Sequence, residues 1–297
     1  MFTVITCSIN PDSAAALRAN VEATIGVPFE FTAFDNREAH RGICSIYNEC
    51  ARNARYDLLC FVHEDVEFRT QNWGEVIARK LREPDCGVIG FAGSISKLSP
   101  LTGFGSLREH TRFNYYQGTP GGKVERKRIN PDGLDFSPVI CLDGMCLIVR
   151  RDVWERSPFD EKLFTGFHAY DIDFTIAVAC NYRNYVCNLA EVFHASIGNF
   201  SREWYENARI CHEKWRSRLP MFASGGGFSP RQIERMNREA EMRMLKFLFK
   251  RHVLSRRELW RLTEDYIRRD MFDRLSYVLF IKYLRYGLWA VSYTHLT

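Results

Sequence analysis

The chain has 297 residues, of which 46% are hydrophobic and 26% charged, and its formal net charge is +5. These values are ordinary for a globular protein with one large domain, alone or with an appendage, and they exclude a fold that depends on disulfide or metal staples. The mild positive charge suits an anionic small molecule, a membrane surface or a nucleic acid, and it excludes none of these partners.

Ten cysteines invite a disulfide or zinc interpretation. No two of them are spaced Cys-x-x-Cys, and most lie in apolar runs such as Leu58–Val62. We therefore expect buried, reduced thiols and a cytoplasmic protein. No apolar stretch reaches the roughly 20 residues of a spanning helix. The first residues have the pattern of a strand, which predicts no signal peptide.

Strand and helix patterns alternate over the first third of the chain. They predict strands over 2–9, 29–34, 58–62 and 86–92, and helices over 10–25 and 43–51. This order is typical of an α/β sheet with right-handed crossovers, in which ligands bind beyond the carboxyl ends of the strands. Asn10, Asp35 and the segment His63-Glu64-Asp65 then lie along one rim of the sheet.

The pattern weakens between 94 and 137, where glycine, proline and basic residues predict a long loop over this rim. Strand character returns over 139–150 and 185–194, with a helix over 174–179 between them.

The domain pattern changes near residue 220. We predict a catalytic domain over 1–220, a glycine-rich linker over 221–228 and a basic helical appendage over 229–290. The appendage begins with a Ser229 cap, Pro230 in the first turn and Gln232 at the capping-box position. Residues 291–297 resemble a translated sequencing adapter, and we expect them to be non-native.

Seven pieces of the first 215 residues match those of one enzyme family in the correct order. They are Phe34-Asp35-Asn36, Ile46-Tyr47-Asn48-Glu49, Leu58–Phe68, Gly87-Val88-Ile89-Gly90, Asp143–Trp154, Phe159-Asp160-Glu161 with Phe167–Phe174, and Phe193–Gly198. With them the chain resembles the family-2 glycosyltransferases. The resemblance implies the GT-A fold, a Rossmann-like, mostly parallel central sheet flanked by helices, here with a C-terminal helical appendage. The chain is most similar to a bacterial subgroup, the streptomycin-biosynthesis-type glycosyltransferase domain, whose Asp-x-Asp segment has a His-x-Asp form.

The resemblance also implies roles for individual residues. Asp171 would be the general base that takes the proton of the acceptor hydroxyl, and Asp65 and His194 would bind a metal ion. An imidazole beside a carboxylate favours Mn²⁺ over Mg²⁺. The residues that would contact or adjoin the nucleotide are Asn10, Asp35, Asn36, Asn48 and Glu64.

Some positions depart from the family pattern. His63 stands where the first carboxylate of the Asp-x-Asp segment is usual, and we expect it to pack or to support the metal site from behind. Tyr170 replaces the glutamate of the usual Glu-Asp pair, so Asp173 remains an alternative to Asp171 as the base. His168 has two interpretations, an acceptor contact or a structural role.

The resemblance implies metal-dependent, inverting transfer of a sugar from a nucleotide-sugar, by family precedent a UDP-sugar, to a glycan or lipid-linked acceptor, with no nucleic-acid partner. A nucleotidyltransferase is one alternative, but it needs a basic, glycine-rich phosphate loop where Ser8–Asp12 stands. A non-catalytic nucleotide- or sugar-binding protein on the same scaffold is the other. The basic, amphipathic stretch Leu275–Arg285 predicts either peripheral contact with the inner face of a membrane or an ordinary helical cap.

Overall fold

The computed structural model describes residues 1–119, 122–196, 198–223, 227–269 and 276–281. The strands are β1 (Phe2–Ser8), β2 (Phe29–Asp35), β3 (Leu58–Val62), β4 (Val66–Phe68), β5 (Cys86–Gly90), β6 (Ala92–Ser94), β7 (Ser96–Lys97), β8 (Thr111–Gly118), β9 (Val124–Ile129), β10 (Phe136–Val139), β11 (Cys141–Leu142), β12 (Cys146–Arg150), β13 (Arg183–Cys187), β14 (Val192–His194) and β15 (Met221–Phe222). The helices are α1 (Pro11–Thr24), α2 (Ile43–Asn53), α3 (Trp73–Leu81), α4 (Arg151–Arg156), α5 (Tyr170–Ala179), α6 (Arg202–Trp215), α7 (Pro230–Arg251) and α8 (Arg256–Arg269).

The central sheet has seven strands in the order β10-β13-β5-β12-β3-β1-β2. β1 runs parallel to both β2 and β3, and β13 runs parallel to β5. β12 is antiparallel to β3 and β5, and β10 is antiparallel to β13. Because β12 separates two strands that both oppose it, five of the seven strands point the same way. The predicted, mostly parallel α/β sheet is therefore confirmed.

Apolar strands bury both faces of this sheet. Along β3, Leu59 and Phe61 belong to one core cluster, whereas Cys60 and Val62 belong to the other. The alternation follows from the two-residue period of a strand. Helices α2 and α5 cover the first face, and α1 and α3 cover the second. All ten cysteines are free, and eight of them are buried, which agrees with the expectation of reduced, core-packed thiols.

The predicted helix boundaries carry the expected caps. The Asn10 side chain accepts hydrogen bonds from the backbone N–H groups of Asp12 and Ser13 at the start of α1, and Gly26 follows the helix with φ +72°. At the start of α7, Ser229 and Gln232 form both hydrogen bonds of a capping box. These local signals fix where the helices begin because the first N–H groups of a helix need acceptors.

The loop predicted over 94–137 is wrong chiefly for Thr111–Gly118 and Val124–Ile129, which are strands. β8 and β9 form an antiparallel hairpin within a second sheet of order β11-β6-β8-β14-β4. The sequence of β9 is polar because most of its side chains are exposed, so composition alone resembled a loop. This second sheet pairs β14 with β4, which brings His194 beside the segment that follows β3.

The C-terminal helices pack against the remainder of the chain. Buried Ala240 of α7 lies in a cluster with Leu98 and Leu107, and the Ser99 N–H donates to Asn237 Oδ1 at 3.1 Å. α7 therefore packs against the catalytic domain, while the choice between membrane contact and a helical cap for the stretch 275–285 remains a prediction.

The boundaries of the predicted linker and appendage remain predictions. The linker begins within β15, which pairs with β7, and residues 224–226 lie outside the described residues. The suspected tail at 291–297 also lies outside the described residues. Of the amphipathic stretch 275–285, the structure describes only 276–281. Within the described ranges, no helix has the length and hydropathy needed to cross a membrane.

Candidate active site

A cavity of about 1440 Å³ lies beyond the ends of β1 and β3, beside the end of β14. Eight of the eleven residues predicted from the sequence line it: Asn10, Asn36, His63, Glu64, Asp65, His168, Asp171 and His194. Six of them lie at or after the ends of β1, β2, β3 and β14, which meet at a common edge of the two sheets. His168 and Asp171 instead lie just before and within the first turn of α5.

Three of these side chains form a cluster with metal-ligand chemistry. One potential ligand atom from each of His63, Asp65 and His194 lies within 4.8 Å of those of the other two. His194 Nε2 is 3.4 Å from Asp65 Oδ1, and the backbone N–H of Ser196 donates to Asp65 Oδ2 at 3.0 Å. Two imidazoles and one carboxylate suit a first-row transition metal ion better than they suit Mg²⁺.

The electrostatics of the cluster reflect burial and mutual contact. Burial opposes the charge of Asp65, but hydrogen bonds from His194 and Ser196, together with the nearby imidazoles, hold its pKa well below the usual range. Burial opposes the charge of His194 as well, yet its contact with Asp65 raises the pKa of that imidazole overall. Burial and the neighbouring His194 lower the pKa of His63 to about 4.

Tyr170 determines which nitrogen of His63 is free. His63 Nε2 is 2.8 Å from the Tyr170 hydroxyl, and that hydroxyl donates to the Gly144 carbonyl at 3.2 Å. A hydroxyl has one proton, so Tyr170 accepts from the Nε2–H of His63. The neutral ring then keeps a lone pair on Nδ1, which matches the way ligating histidines are oriented by a second hydrogen bond. The sequence predicts that His63 packs or supports the metal site from behind, and the structure places its ring within the cluster of potential ligands.

Glu64 joins the acidic segment to the loop after β1. Its Oε2 accepts hydrogen bonds from Ser8 Oγ at 2.6 Å and from the Asn10 N–H at 3.1 Å. The carboxylate therefore holds the loop in place, and Asn10 lines the cavity while its own side chain caps α1.

Asp171 has the position and environment of a general base. It lies in the first turn of α5 and lines the cavity, and its Oδ2 accepts from the Gly144 N–H at 2.9 Å. Burial and the nearby Asp143 raise the pKa of Asp171 to about 7, a value suited to proton abstraction near neutral pH.

The alternative base, Asp173, points elsewhere. It is only 2% exposed, and it is bonded to the indole N–H of Trp215 at 2.7 Å and to Lys214 Nζ at 2.9 Å. It does not line the cavity. Its geometry is that of a buried anchor for the end of α6, which favours Asp171 as the base.

Two predicted nucleotide contacts need revision. Asn48 is 2% exposed, and its amide bonds to the backbone N–H and carbonyl of Phe159 and to the Trp154 indole. These bonds use both ends of the amide inside the protein, so its role is structural and the predicted nucleotide contact is withdrawn. Asp35 is exposed outside the cavity lining, and the hydrogen bonds of Arg37 lower its pKa to about 2. A base contact by Asp35 would have to displace Arg37.

Several lining residues were not predicted. Asp143 and Tyr170 lie inside quoted motifs but were given no role, although their position before and within the catalytic segment was a usable signal. Gln117 donates to the backbone carbonyls of His194 and Ser196, and it lies in the stretch whose composition predicts a loop. Arg243 and Phe247 come from α7, and no local pattern connects that helix with the cavity.

Comparisons with known proteins bear on the family and the fold of the chain. The model of a glycosyltransferase-like family matches residues 3–215, while no curated protein matches the chain. Among solved structures, TarS 1–349 of S. aureus is 13% identical with a TM-score of 0.52, over 90% of this chain and 80% of that one. Its complex with UDP-GlcNAc is 14% identical with a TM-score of 0.51 over the same shares. The mannosyltransferase PcManGT of Pyrobaculum calidifontis, solved with GDP-Man and Mn²⁺, is 12% identical with a TM-score of 0.47, over 95% and 86%. The likeness to TarS shows the fold, which is GT-A.

Proposed function

Since this chain belongs to the glycosyltransferase-like family, whose model spans residues 3–215, we propose that it transfers a sugar from a nucleotide-sugar to an acceptor hydroxyl with the help of a divalent metal ion. The donor we propose to test first is a UDP-sugar, because the similar TarS 1–349 was solved with UDP-GlcNAc.

The charge of the cavity carries the proposal of metal dependence. Four carboxylates line it, those of Glu64, Asp65, Asp143 and Asp171, and among the described lining residues Arg243 is the single lysine or arginine. A nucleoside diphosphate brings concentrated negative charge into this acidic surrounding. A divalent cation neutralises such charge as a Lewis acid, so the cavity suits a diphosphate when a cation is bound with it.

The residues present fit such an ion. His63, Asp65 and His194 would hold it, and the ligand set favours Mn²⁺ over Mg²⁺ because imidazole is a poor ligand for magnesium. When bound, the ion would stabilise the negative charge of the departing diphosphate. The nucleotide would face three further lining residues: Asn10 in the loop after β1, and Glu64 and Asn36.

Asp171 performs the proton transfer in this proposal. Its carboxylate takes the proton from the acceptor hydroxyl while the acceptor oxygen bonds to the anomeric carbon and the bond from that carbon to the diphosphate oxygen breaks. Attack from the face opposite the leaving group inverts the anomeric carbon. The Gly144 N–H holds the carboxylate in one orientation, which reduces the entropy that the reaction must lose.

The test is a thermal-shift panel of nucleoside diphosphates with and without Mn²⁺, followed by an assay of donor hydrolysis. We expect UDP to stabilise the chain only with Mn²⁺, by about 2.7 kcal/mol at 100 times its Kd. Asp65→Ala should remove the effect. Glu67→Ala is the matched control, because this exposed carboxylate on β4 lies two residues away and outside the cavity lining.

The outcomes separate the alternatives. Stabilisation by UDP without metal, or in Asp65→Ala, would contradict the metal site. Metal-dependent binding of UDP with no hydrolysis or transfer of any donor would support the non-catalytic binding protein. A nucleotidyltransferase would instead release diphosphate from a nucleoside triphosphate.

Membrane contact by the stretch 275–285 remains a separate proposal with its own test. Its support is the basic, amphipathic sequence and the exposure of Tyr277, Val278 and Phe280 within the described part. Co-sedimentation with anionic vesicles should fall when Lys282 and Arg285 are both replaced by glutamate, and unchanged sedimentation would contradict the idea.

A further inference from the structure

One end of the cavity is lined by aromatic rings and an arginine instead of carboxylates. Phe200, Trp204, Phe247 and Arg243 line it, from the start of α6 and from α7. We propose that this aromatic end binds the acceptor, and that the acceptor is a sugar bearing a phosphate or a carboxylate. The inference rests on the proposed sugar transfer, because it names the second substrate of the same site.

The cavity has room for two substrates. Pockets for single small ligands usually measure roughly 300–1,000 Å³, whereas this one measures about 1440 Å³. A nucleotide-sugar near the metal cluster therefore leaves volume unfilled. A transferase needs that volume, since both substrates must be present before the acceptor oxygen attacks.

The three rings form a preorganised apolar surface. Trp204 lies 5.3 Å from Phe200 and 5.5 Å from Phe247 between ring centroids, and Phe200 lies 5.1 Å from Phe247, all edge to face. Each ring is half-buried, so the mutual contacts restrain the rings while part of each remains accessible. The C–H-rich face of a sugar ring can pack on such a surface with little loss of side-chain entropy.

This surface adjoins the catalytic segment. Glu203 is the residue before Trp204, and its carboxylate lies close to Gly166. A Cβ added at Gly166 would be 2.7 Å from Oε1 of Glu203. Gly166 is five residues before Asp171, and the exposed ring of Phe167 lies 5.4 Å from His63. An acceptor on the aromatic end is thereby next to the segment that presents the base.

Arg243 specifies the charge of the acceptor. Its present partner is Glu239, one turn earlier on α7, at 2.6 Å, and both side chains are about one-third or more exposed. Such a surface pair contributes little free energy, so an anion in the cavity can replace Glu239. The guanidinium group binds phosphate and carboxylate through two parallel hydrogen bonds, and no second lysine or arginine lines the described part of the cavity.

The experiment measures binding to the full chain saturated with UDP and Mn²⁺, by calorimetry. The probes are glucose 1-phosphate, glucuronic acid, methyl glucoside and inorganic phosphate. We expect the two charged sugars to bind about 10-fold or more tighter than methyl glucoside, and inorganic phosphate to bind more weakly than glucose 1-phosphate. The preference between phosphate and carboxylate identifies the anion.

Three variants test which residues cause the preference for charged sugars. Arg243→Gln should remove the advantage of the charged sugars, whereas Arg235→Gln should keep it, because Arg235 is exposed on the same helix outside the cavity lining. Trp204→Ala should weaken the charged and neutral sugars alike. Donor hydrolysis and the stabilisation by UDP with Mn²⁺ should be unchanged in Arg235→Gln, and in the wild-type chain these two readouts test the proposed function separately from acceptor binding.

Equal binding of charged and neutral sugars, no binding of any sugar, or equal effects of Arg243→Gln and Arg235→Gln would overturn the proposal. A loss of UDP binding in Arg243→Gln would also overturn it, because Arg243 would then serve the donor. A failure of UDP and Mn²⁺ to bind the wild-type chain would instead refute the proposed function.

Discussion

The two ends of the cavity are built by different means. At the acidic end, Asp65 lies between β3 and β4 and Asp171 lies in the first turn of α5. The backbone N–H groups of Ser196 and Gly144 hold their carboxylates. At the aromatic end, Trp204 and Phe247 come from helices whose mutual contacts are apolar. In the proposed function, the chemistry depends on carboxylates held by backbone N–H groups, whereas the choice of acceptor depends on the packing of α7 against the rest of the chain. Variants of the acidic end should lower the rate of sugar transfer, and variants of the aromatic end should weaken the affinity for the acceptor.

The largest expected effect is that of Asp171→Asn. Removing the base should lower the transfer rate by about 10²–10⁴-fold while UDP and Mn²⁺ still bind. Steady-state kinetics measure the transfer rate, and the thermal shift with UDP and Mn²⁺ measures the retained binding. Asp173→Asn is the control, since this carboxylate is bonded to Lys214 and Trp215 outside the cavity. If Asp173→Asn abolished transfer in a folded protein and Asp171→Asn did not, the assignment of the base would be wrong.

Gly144→Ala should have the next largest effect. A Cβ at this position would lie 2.3 Å from the Tyr170 hydroxyl and 3.1 Å from the Cβ of Asp171, so both side chains must move. Displacing a catalytic group by about 1 Å lowers activity by roughly 10²-fold. Gly133→Ala serves as a comparison, because open space surrounds that glycine, although its positive φ adds local strain. Wild-type kinetics in Gly144→Ala would show that the base is not held as described.

The pH dependence of stability tests the buried charge of Asp171. Its pKa rises from an ordinary value of 3.8 to about 7 in the folded chain, so the folded state keeps a proton that the unfolded state has lost. The wild-type free energy of unfolding should therefore fall as pH rises from about 4 to 7, by up to about 1.4 kcal/mol per pKa unit of difference. Asp171→Asn should lack this contribution. Denaturation of both proteins in EDTA at pH 5 and pH 8 measures it, and a constant difference between them would contradict the assignment.

The smallest effect should come from Asn237→Leu on α7. It leaves the part-buried Ser99 N–H without its acceptor, which costs about 1 kcal/mol in the free energy of unfolding. The aromatic end should loosen, so the acceptor KM should rise while donor hydrolysis stays unchanged. Asn207→Leu on α6 is the control, because its amide bonds only within an exposed helix turn. Reduced donor hydrolysis in Asn237→Leu would show that the two ends are not independent.

Local patterns predicted much of the central sheet correctly. The run Leu58–Val62 is a strand with the predicted bounds, and the caps at Asn10 and Ser229 begin helices as expected. These features depend on neighbours within a few residues, so spacing and residue type are sufficient to reveal them. The hairpin β8–β9 was missed because the exposed side chains of β9 give it the polar composition of a loop, and because β8 also pairs with β14, which is distant in sequence.

The candidate site divides in the same way. Asp65, Asp171 and His194 can be predicted from the sequence, because each lies within a motif that resembles those of the family. Contacts in the folded chain show in addition that His63 lies beside Asp65 and His194, that Asn48 and Asp173 are bonded inside the protein, and that α7 forms a wall of the cavity. The physical reason is that a side chain's role depends on its partners in space. Hydrogen bonds such as those of Asn48 with Phe159 and of Asp173 with Trp215 join residues 111 and 42 positions apart, and contacts at such separations leave no mark on local spacing.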